Sequence, residues 1–247
     1  MDRNGTRTPD RRTDIVADRL LSVMDSVEYR RITTPEDFED VGALRLKAFN
    51  AKDVYERKFD SPLVEPLDFD PDTYVFGLYH ADQLVSSMRL NMLTARTAPT
   101  PAMELFSDTL SPLLAQGMVF VDPSRFAIDA DASKMLPALP LLTHRLSTMM
   151  TLHKGADYCL CAVKLEHEAY YRRVFAATRL AGPFEPAGMC VKAVLLGISR
   201  NNVDYIMNRN PLFHYTETEA RLLFDRLEDA LPPLCVRPTA RYALNAA

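Results

Sequence analysis

The chain has 247 residues, a net charge of −4 and 47% hydrophobic residues, with no tryptophan, which describes a folded domain of a size that one core can still fill. No apolar run approaches the roughly 18 residues needed to span a bilayer, and the polar, Arg-rich start lacks an apolar signal core. A cytoplasmic protein with no transmembrane segment and no nucleic-acid partner is the expectation.

In chain order, residues 1–12 read as a disordered tail. The stretch from Thr13 to Ser26 carries a helical stripe at Ile15, Val16, Leu20, Val23 and Met24. A first strand fits Glu28 to Ile32. Pro35 after Thr33-Thr34, with Glu36, Asp37 and Glu39 in the first turn, starts a helix that reaches Phe49. The acid- and Pro-rich segment Ser61 to Asp72 is a loop, and Thr73 to Tyr79 with Leu84 to Leu93 form a hairpin around Ala81-Asp82-Gln83. Prolines from Pro99 to Pro112 predict an irregular crossover with a short helix near Glu104 to Leu110. A strand over 118–128 follows, then a long helix from Leu136 to Lys154 closed by Gly155. Ala156 to Val163 reads as a strand, Glu166 to Ala177 as a helix and Met189 to Ile198 as a last strand. Helices near Asn202 to Asn208 and Thr216 to Ala230 complete the chain. This order predicts a mixed sheet covered by helices, with 13–200 as the main domain and 201–247 as a helical extension packed on it.

The run Val119-Phe120-Val121-Asp122-Pro123-Ser124-Arg125-Phe126-Ala127-Ile128 is unusual, because a buried strand here carries an acid, a proline, a hydroxyl and an arginine. Proline cannot donate to a sheet ladder, so a bulge is expected at Pro123, leaving backbone groups of Ser124 or Arg125 free to meet a ligand. The alternative is a strand that ends at Asp122 and turns at Pro123-Ser124. Glycine-rich phosphate cradles are disfavoured with only 8 glycines, and Cys159-x-Cys161 reads as buried thiols, not a metal site.

Several separated pieces carry a family resemblance: Arg45-x3-Phe49-x5-Tyr55, the acidic loop Asp68-Phe69-Asp70-Pro71-Asp72, Ser87-Met88-Arg89-Leu90, and Asp122-Pro123-Ser124-Arg125-Phe126. In order and spacing the chain resembles the acyl-homoserine lactone (autoinducer) synthases and their relatives the N-acyl amino acid synthases, both of the GNAT acyltransferase fold. The resemblance implies a mixed, mostly antiparallel sheet splayed at strand 118–128, with extra helices at both ends. Asp122 stands where autoinducer synthases carry Glu and Tyr55 replaces Trp, which argues against lactone formation, and with longer C-terminal helices beyond Asn201 the chain resembles the N-acyl amino acid synthases more closely.

The chemistry then needs a base for the ammonium proton, donors for the oxyanion and an acid for the departing thiolate. Asp122 is the candidate base, or else an ion-pair partner of Arg45, Arg89 or Arg125. Ser124 belongs to the oxyanion segment. Tyr171, which keeps the GNAT spacing to Phe175, is the candidate proton donor, or simply a packed aromatic. Arg45 and Arg89 would clamp a carboxylate or neutralise Asp70 and Asp72; Phe49, Tyr55, Arg125 and Phe126 complete the candidate substrate site. Where coenzyme A enzymes have a glycine turn, this chain has Asp129-Ala130-Asp131-Ala132-Ser133-Lys134, whose acids would repel a diphosphate. An acyl carrier protein presents only one phosphate and an acidic surface, so Lys134, Arg145, Lys154, Arg172, Arg173 and Arg179 are candidate docking residues, if they are not an ordinary solvated face.

The expected activity is amide formation between a fatty acyl group, carried as a thioester on the phosphopantetheine of acyl carrier protein or on coenzyme A, and the amino group of an amino acid. No tightly bound cofactor or metal is expected. The alternatives are an acyl-homoserine lactone synthase using S-adenosylmethionine and a silent module that binds acyl carriers or a protein partner.

Overall fold

An eight-stranded sheet runs through the computed structural model, which describes residues 21–97, 99–225 and 234–245. The strands are β1 (Val27–Arg31), β2 (Thr73–His80), β3 (Gln83–Leu93), β4 (Phe120–Ile128), β5 (Tyr158–Lys164), β6 (Thr178–Phe184), β7 (Ala193–Ser199) and β8 (Cys235–Val236). Their order is β6-β7-β5-β4-β3-β2-β1-β8, and every neighbouring pair is antiparallel except β4 with β5. Such a sheet has two apolar faces to cover, and helices cover both.

Helices α1 (Pro35–Asn50) and α2 (Pro101–Ala115) lie on one face. Helix α1 starts where Thr34 Oγ1 accepts from Asp37 N at 3.2 Å, with Pro35 in the first turn, where a missing N–H costs nothing. Its Phe38 and Val41 pack with Val75 and Tyr79, and Leu44 and Ala48 with Ala127. Helix α2 sets Phe106, Leu110 and Leu114 against Phe120, Leu160 and Leu195. The opposite face holds α4 (Leu139–His153), α5 (Glu168–Phe175), α6 (Val203–Arg209) and α7 (Glu217–Phe224), which enclose the largest core around Met88, Leu146, Met150 and Phe224. A short α3 (Ala130–Met135) links β4 to α4, and α8 (Ala240–Asn245) follows β8.

The C-terminal segment is tied in by a buried ion pair. Arg145 of α4 donates from both terminal nitrogens to the Glu219 carboxylate and from one to His214 O at 2.7 Å, while Glu219 Oε2 accepts from Thr239 N at 2.8 Å.

Several elements differ from the sequence expectation. The crossover helix spans 15 residues, not seven, because Thr100 caps it and Pro101 sits in the first turn; the backbone leaves helical geometry at Phe106. The helix expected over 136–154 is α4, which starts three residues later at Leu139, and a separate short α3 with its own cap in Asp129 precedes it where no helix was expected. Strand β6 was not expected, since Gly182-Pro183 argue against a strand interior; it is an outermost strand, where proline removes no needed donor. The C-terminal extension also supplies β8 to the far edge, pairing Tyr29 with Val236, and β7 begins at Ala193, not Met189. Residues 21–24 are helical; the rest of the helix expected from Thr13, the tail 1–12 and residues 226–230 lie outside the described residues.

Candidate active site

Strands β4 and β5 are paired only at Phe120 with Tyr158 and Val121 with Cys159. Beyond them the strands part, each held by its other neighbour: β5 keeps seven register partners on β7, and β4 stays paired with β3. The gap is a cleft of about 260 Å³ lined by Pro123 to Phe126 of β4 and Leu160 to Lys164 of β5. Met88, His144 and Tyr171 line it toward the α4–α5 face, and Tyr55, Leu105 and Met189 are among its other walls. Backbone bonds from Glu56 N to Gly188 O (3.1 Å) and Cys190 N to Val54 O (2.8 Å) join the loops carrying Tyr55 and Met189.

The bulge expected at Pro123 lies two residues later. Pro123 sits in regular register opposite Leu90, but Ser124 faces Arg89 and Ala127 faces Ser87, so β4 carries one extra residue there. Arg125 takes φ 51°, a left-handed conformation that a non-glycine residue holds only where surroundings enforce it. The insertion reverses the strand's alternation. Phe120 packs on the α2 face, and without the extra residue Phe126 would share it; instead the Phe126 ring packs tilted against His144, 4.7 Å between centroids, and Ala127 meets α1.

The inversion also brings Arg125 to the loop after α1, where a charge network closes one side of the cleft. Arg45 pairs with Asp68 through two bonds of 2.8 and 3.0 Å. Arg89 donates to Glu65 Oε2 at 2.8 Å and through Nε to Ser124 Oγ at 3.0 Å, with Asp68 at 3.4 Å. Arg125 grips the Glu65 carboxylate with Nε at 2.8 Å and with a terminal nitrogen. Arg45 and Asp68 are fully buried, Arg89 nearly so, and Glu65 and Arg125 partly open. Burial would raise the Glu65 carboxyl, but the bonds and charge of Arg125, then of Arg89, outweigh it and bring its pKa down to about 2.

The arginines are therefore already braced, and not by the acids expected. Asp70 Oδ1 caps Asp72 N at 2.9 Å in a local turn, while Asp68 and Glu65 meet the arginines. Glu65 and Asp68 also cap each other's backbone around the turn Pro66–Phe69, a Glu-x-x-Asp spacing visible in the sequence. Phe49, Tyr55 and Phe59 form an aromatic trio beside the cleft, with Tyr55 and Phe59 rings 5.0 Å apart.

Asp122 is buried and does not line the cleft. Its Oδ2 accepts from Ala102 N at 3.0 Å and its carboxylate is also bonded by the Thr100 hydroxyl, so it holds the first turn of α2. Burial pushes its pKa up to about 6 against those two bonds and the charge of Arg89. The expectation was a base or an ion-pair partner of Arg45, Arg89 or Arg125; the carboxylate is bonded to a helix terminus instead.

Tyr171 lies on the cleft wall, and its hydroxyl is 3.2 Å from His144 Nε2. Burial raises the phenol well above its ordinary value and lowers His144 to about 4, so the imidazole is neutral near pH 7. His144 was not singled out from sequence; the signal was a lone polar ring on the apolar stripe of α4. Cys161 also lines the cleft, and its hydrogen bond with Cys159, together with burial, keeps its thiol protonated.

The expected docking residues are dispersed. Arg145 is fully buried against Glu219, which corrects its assignment to a docking surface. Arg179 pairs with Glu168, Lys134 with Asp131 at 2.9 Å, and Lys154 lies over the Tyr74 ring at 5.5 Å. Arg172 and Arg173 are exposed on α5, directly after Tyr171.

A mostly antiparallel sheet whose two parallel central strands part around a cleft defines a GNAT-like acyltransferase. Residues 40–199 match the family described as N-acyl amino acid synthase FeeM, and the chain belongs to that family. Among solved structures it is similar to FeeM, an N-acyl amino acid synthase from uncultured soil microbes, at 15% identity and TM-score 0.59, over 72% of this chain and 93% of that one. It is also similar to BjaI, a CoA-dependent acyl-homoserine lactone synthase (19% identity, TM-score 0.55, 74% and 89% covered), and to the AHL synthase LasI (16%, 0.51, 83% and 98%). No curated protein sequence matches the chain. Among the described residues, no helix is long and apolar enough to cross a membrane, and no cluster of His, Cys, Asp and Glu is placed to hold a metal.

Proposed function

We propose that this chain transfers a fatty acyl group from the phosphopantetheine thioester of an acyl carrier protein to the amino group of an amino acid. The observation that carries this reading is the cleft between β4 and β5, with the Tyr171 phenol on one wall and the arginine network on the other. Pantetheine is an extended chain with amides, and parted strands offer it unpaired backbone groups as well as apolar walls. In the network Arg125 is partly open and lines the cleft, so its guanidinium is the one placed to meet the carboxylate of an amino acid.

In the proposed reaction the amine attacks the thioester carbon directly, since Cys161 is held as a thiol and makes a poor intermediate acceptor. Backbone N–H groups at the Ser124–Arg125 bulge stabilise the oxyanion, and Tyr171 gives a proton to the sulfur as the C–S bond breaks. Asp122 acts at one remove, fixing α2 and with it Leu105 on the cleft wall.

A carrier protein is favoured over coenzyme A by the segment after β4. There the α3 N-terminus is already filled by the Asp129 carboxylate, which accepts from Asp131 N and Ala132 N at 3.0 Å each and pairs with Lys47 at 2.7 Å. A diphosphate would have to displace an anion from that helix end. Arg172 and Arg173, beside Tyr171, are the docking cations we propose for the carrier. The test is mass spectrometry of lipids from cells overproducing the protein, followed by assays of acyl carrier against acyl-CoA donors. New N-acyl amino acids support the reading; a lactone formed only with S-adenosylmethionine, or carrier binding without thiol release, refutes it.

A further inference from the structure

The neighbour of Tyr171 in the cleft points to a second member of the proton-delivery apparatus. A phenol that protonates a thiolate must aim its hydrogen at the sulfur and carry negative charge for a moment. Tyr171 is poorly placed to do so unaided, because 8% exposure leaves almost no water to orient or solvate its oxygen. Its one hydrogen-bond partner within the protein, among the contacts described, is His144 Nε2 at 3.2 Å. The ring of His144 is held in place by Phe126 (4.7 Å between centroids) and Phe175 (5.9 Å), and both His144 and Tyr171 border the cleft. The bulge at Arg125 is what turns Phe126 onto His144, so the same irregularity that shapes the oxyanion segment also braces the imidazole.

We infer that His144 is a positioning residue that donates its Nε2 hydrogen to Tyr171 Oη, leaving the phenolic hydrogen free to point into the cleft. This inference rests on the proton-donor reading of Tyr171. In the step, the C–N bond forms, the tetrahedral intermediate collapses, and the C–S pair goes to sulfur, which takes the Tyr171 proton. The phenolate so formed is held by the His144 N–H until a proton released by the attacking nitrogen restores it. His144 keeps its own proton throughout. The apolar walls resist an imidazolium, so the ring serves as a neutral donor and not as an acid.

A leaving group that needs no proton separates this role from a structural one. Acyl-pantetheine leaves as an alkyl thiolate with a pKa near that of cysteine, about 8.5, whereas an acyl 4-nitrothiophenyl ester leaves as a far weaker base. Both donors would be assayed with an equimolar mixture of the protein amino acids, on wild type, Tyr171→Phe, His144→Phe and His144→Gln, after subtraction of uncatalysed aminolysis. His144→Phe is expected to lower kcat about tenfold or more with acyl-pantetheine, a part of the ~100-fold worth of general acid catalysis, and to leave the aryl ester within about threefold. His144→Gln, which keeps an N–H donor, is expected to restore much of the loss; if the phenylalanine variant does not fold, His144→Leu takes its place, and a deficit of Leu relative to Gln on acyl-pantetheine that is absent on the aryl ester carries the test.

Equal losses on both donors, or no loss on either, overturn the role of His144. If Tyr171→Phe itself fails to discriminate between the donors, the proton-donor reading falls and the inference with it. If Tyr171→Phe discriminates and His144→Phe does not, only the inference falls. Absence of turnover by the wild type with acyl carrier protein as well as with both small donors refutes the transferase reading.

Discussion

Replacing Asp122 by Asn exchanges one carboxylate oxygen for an NH2 group and separates an anchoring carboxylate from a reacting one. Asn keeps an acceptor for Ala102 N but cannot ionise. In the folded protein Asp122 titrates near pH 6, because burial outweighs the bonds from Thr100 and Ala102 and the charge of Arg89; the ordinary value is 3.8. The folded pKa is thus raised, so the folded state binds the proton more tightly, and wild-type stability falls as pH climbs from about 4 to 6 and is flat above. Between about pH 4.5 and pH 8 this amounts to about 1.5 pH units at 1.36 kcal/mol each, or about 2 kcal/mol. The stability of Asp122→Asn relative to wild type should therefore improve by about 2 kcal/mol across that range, measured by urea unfolding at the two pH values. A pH-independent difference would refute the burial argument. Turnover should fall by no more than about threefold; a loss in the ~100-fold range of a removed general base, with stability unchanged, would return the carboxylate to the chemistry.

Asp68→Asn strands the buried Arg45, which on the scale of broken buried pairs costs about 3 to 5 kcal/mol and lowers Tm by about 6 to 20 °C in calorimetry; a shift under about 2 °C contradicts the network. Glu65 has a depressed pKa, so its contribution is present above the ordinary carboxylate range and lost as pH falls toward about 2. Acid unfolding of Glu65→Gln should accordingly lack part of the wild-type transition. Arg125→Lys exchanges a two-pronged grip on Glu65 for a point charge, and should raise the amino acid KM about tenfold with kcat less affected. An unchanged KM would place the acceptor elsewhere.

The fold was legible where pattern and punctuation agree. Thr34-Pro35 with acids behind it starts α1, and the two apolar runs either side of Ala81-Asp82-Gln83 form the hairpin, because those signals act within a few residues. Strand β6 was hidden by Gly182-Pro183, which are tolerable only at a sheet edge, and an edge is a property of the whole sheet. The site was legible as a set of residue types, since an acid, a proline and an arginine in one apolar strand are unexplained by packing. Their partners were not. Whether Arg45 meets Asp68 or Asp70 depends on one turn at Pro66–Phe69, and Arg145 is buried only because the C-terminal segment returns to cover it. His144 gave no local signal beyond polarity, because its meaning comes from Tyr171 arriving from another helix.

Photo-crosslinking tests the parted strands most directly. A thioether analogue of acyl-pantetheine carrying a diazirine beside the sulfur, bound and irradiated, should label peptides holding Pro123 to Phe126 and Leu160 to Lys164, with labelling suppressed by excess unmodified analogue. Competed labelling confined to other surfaces, with those two strands untouched, would contradict the account.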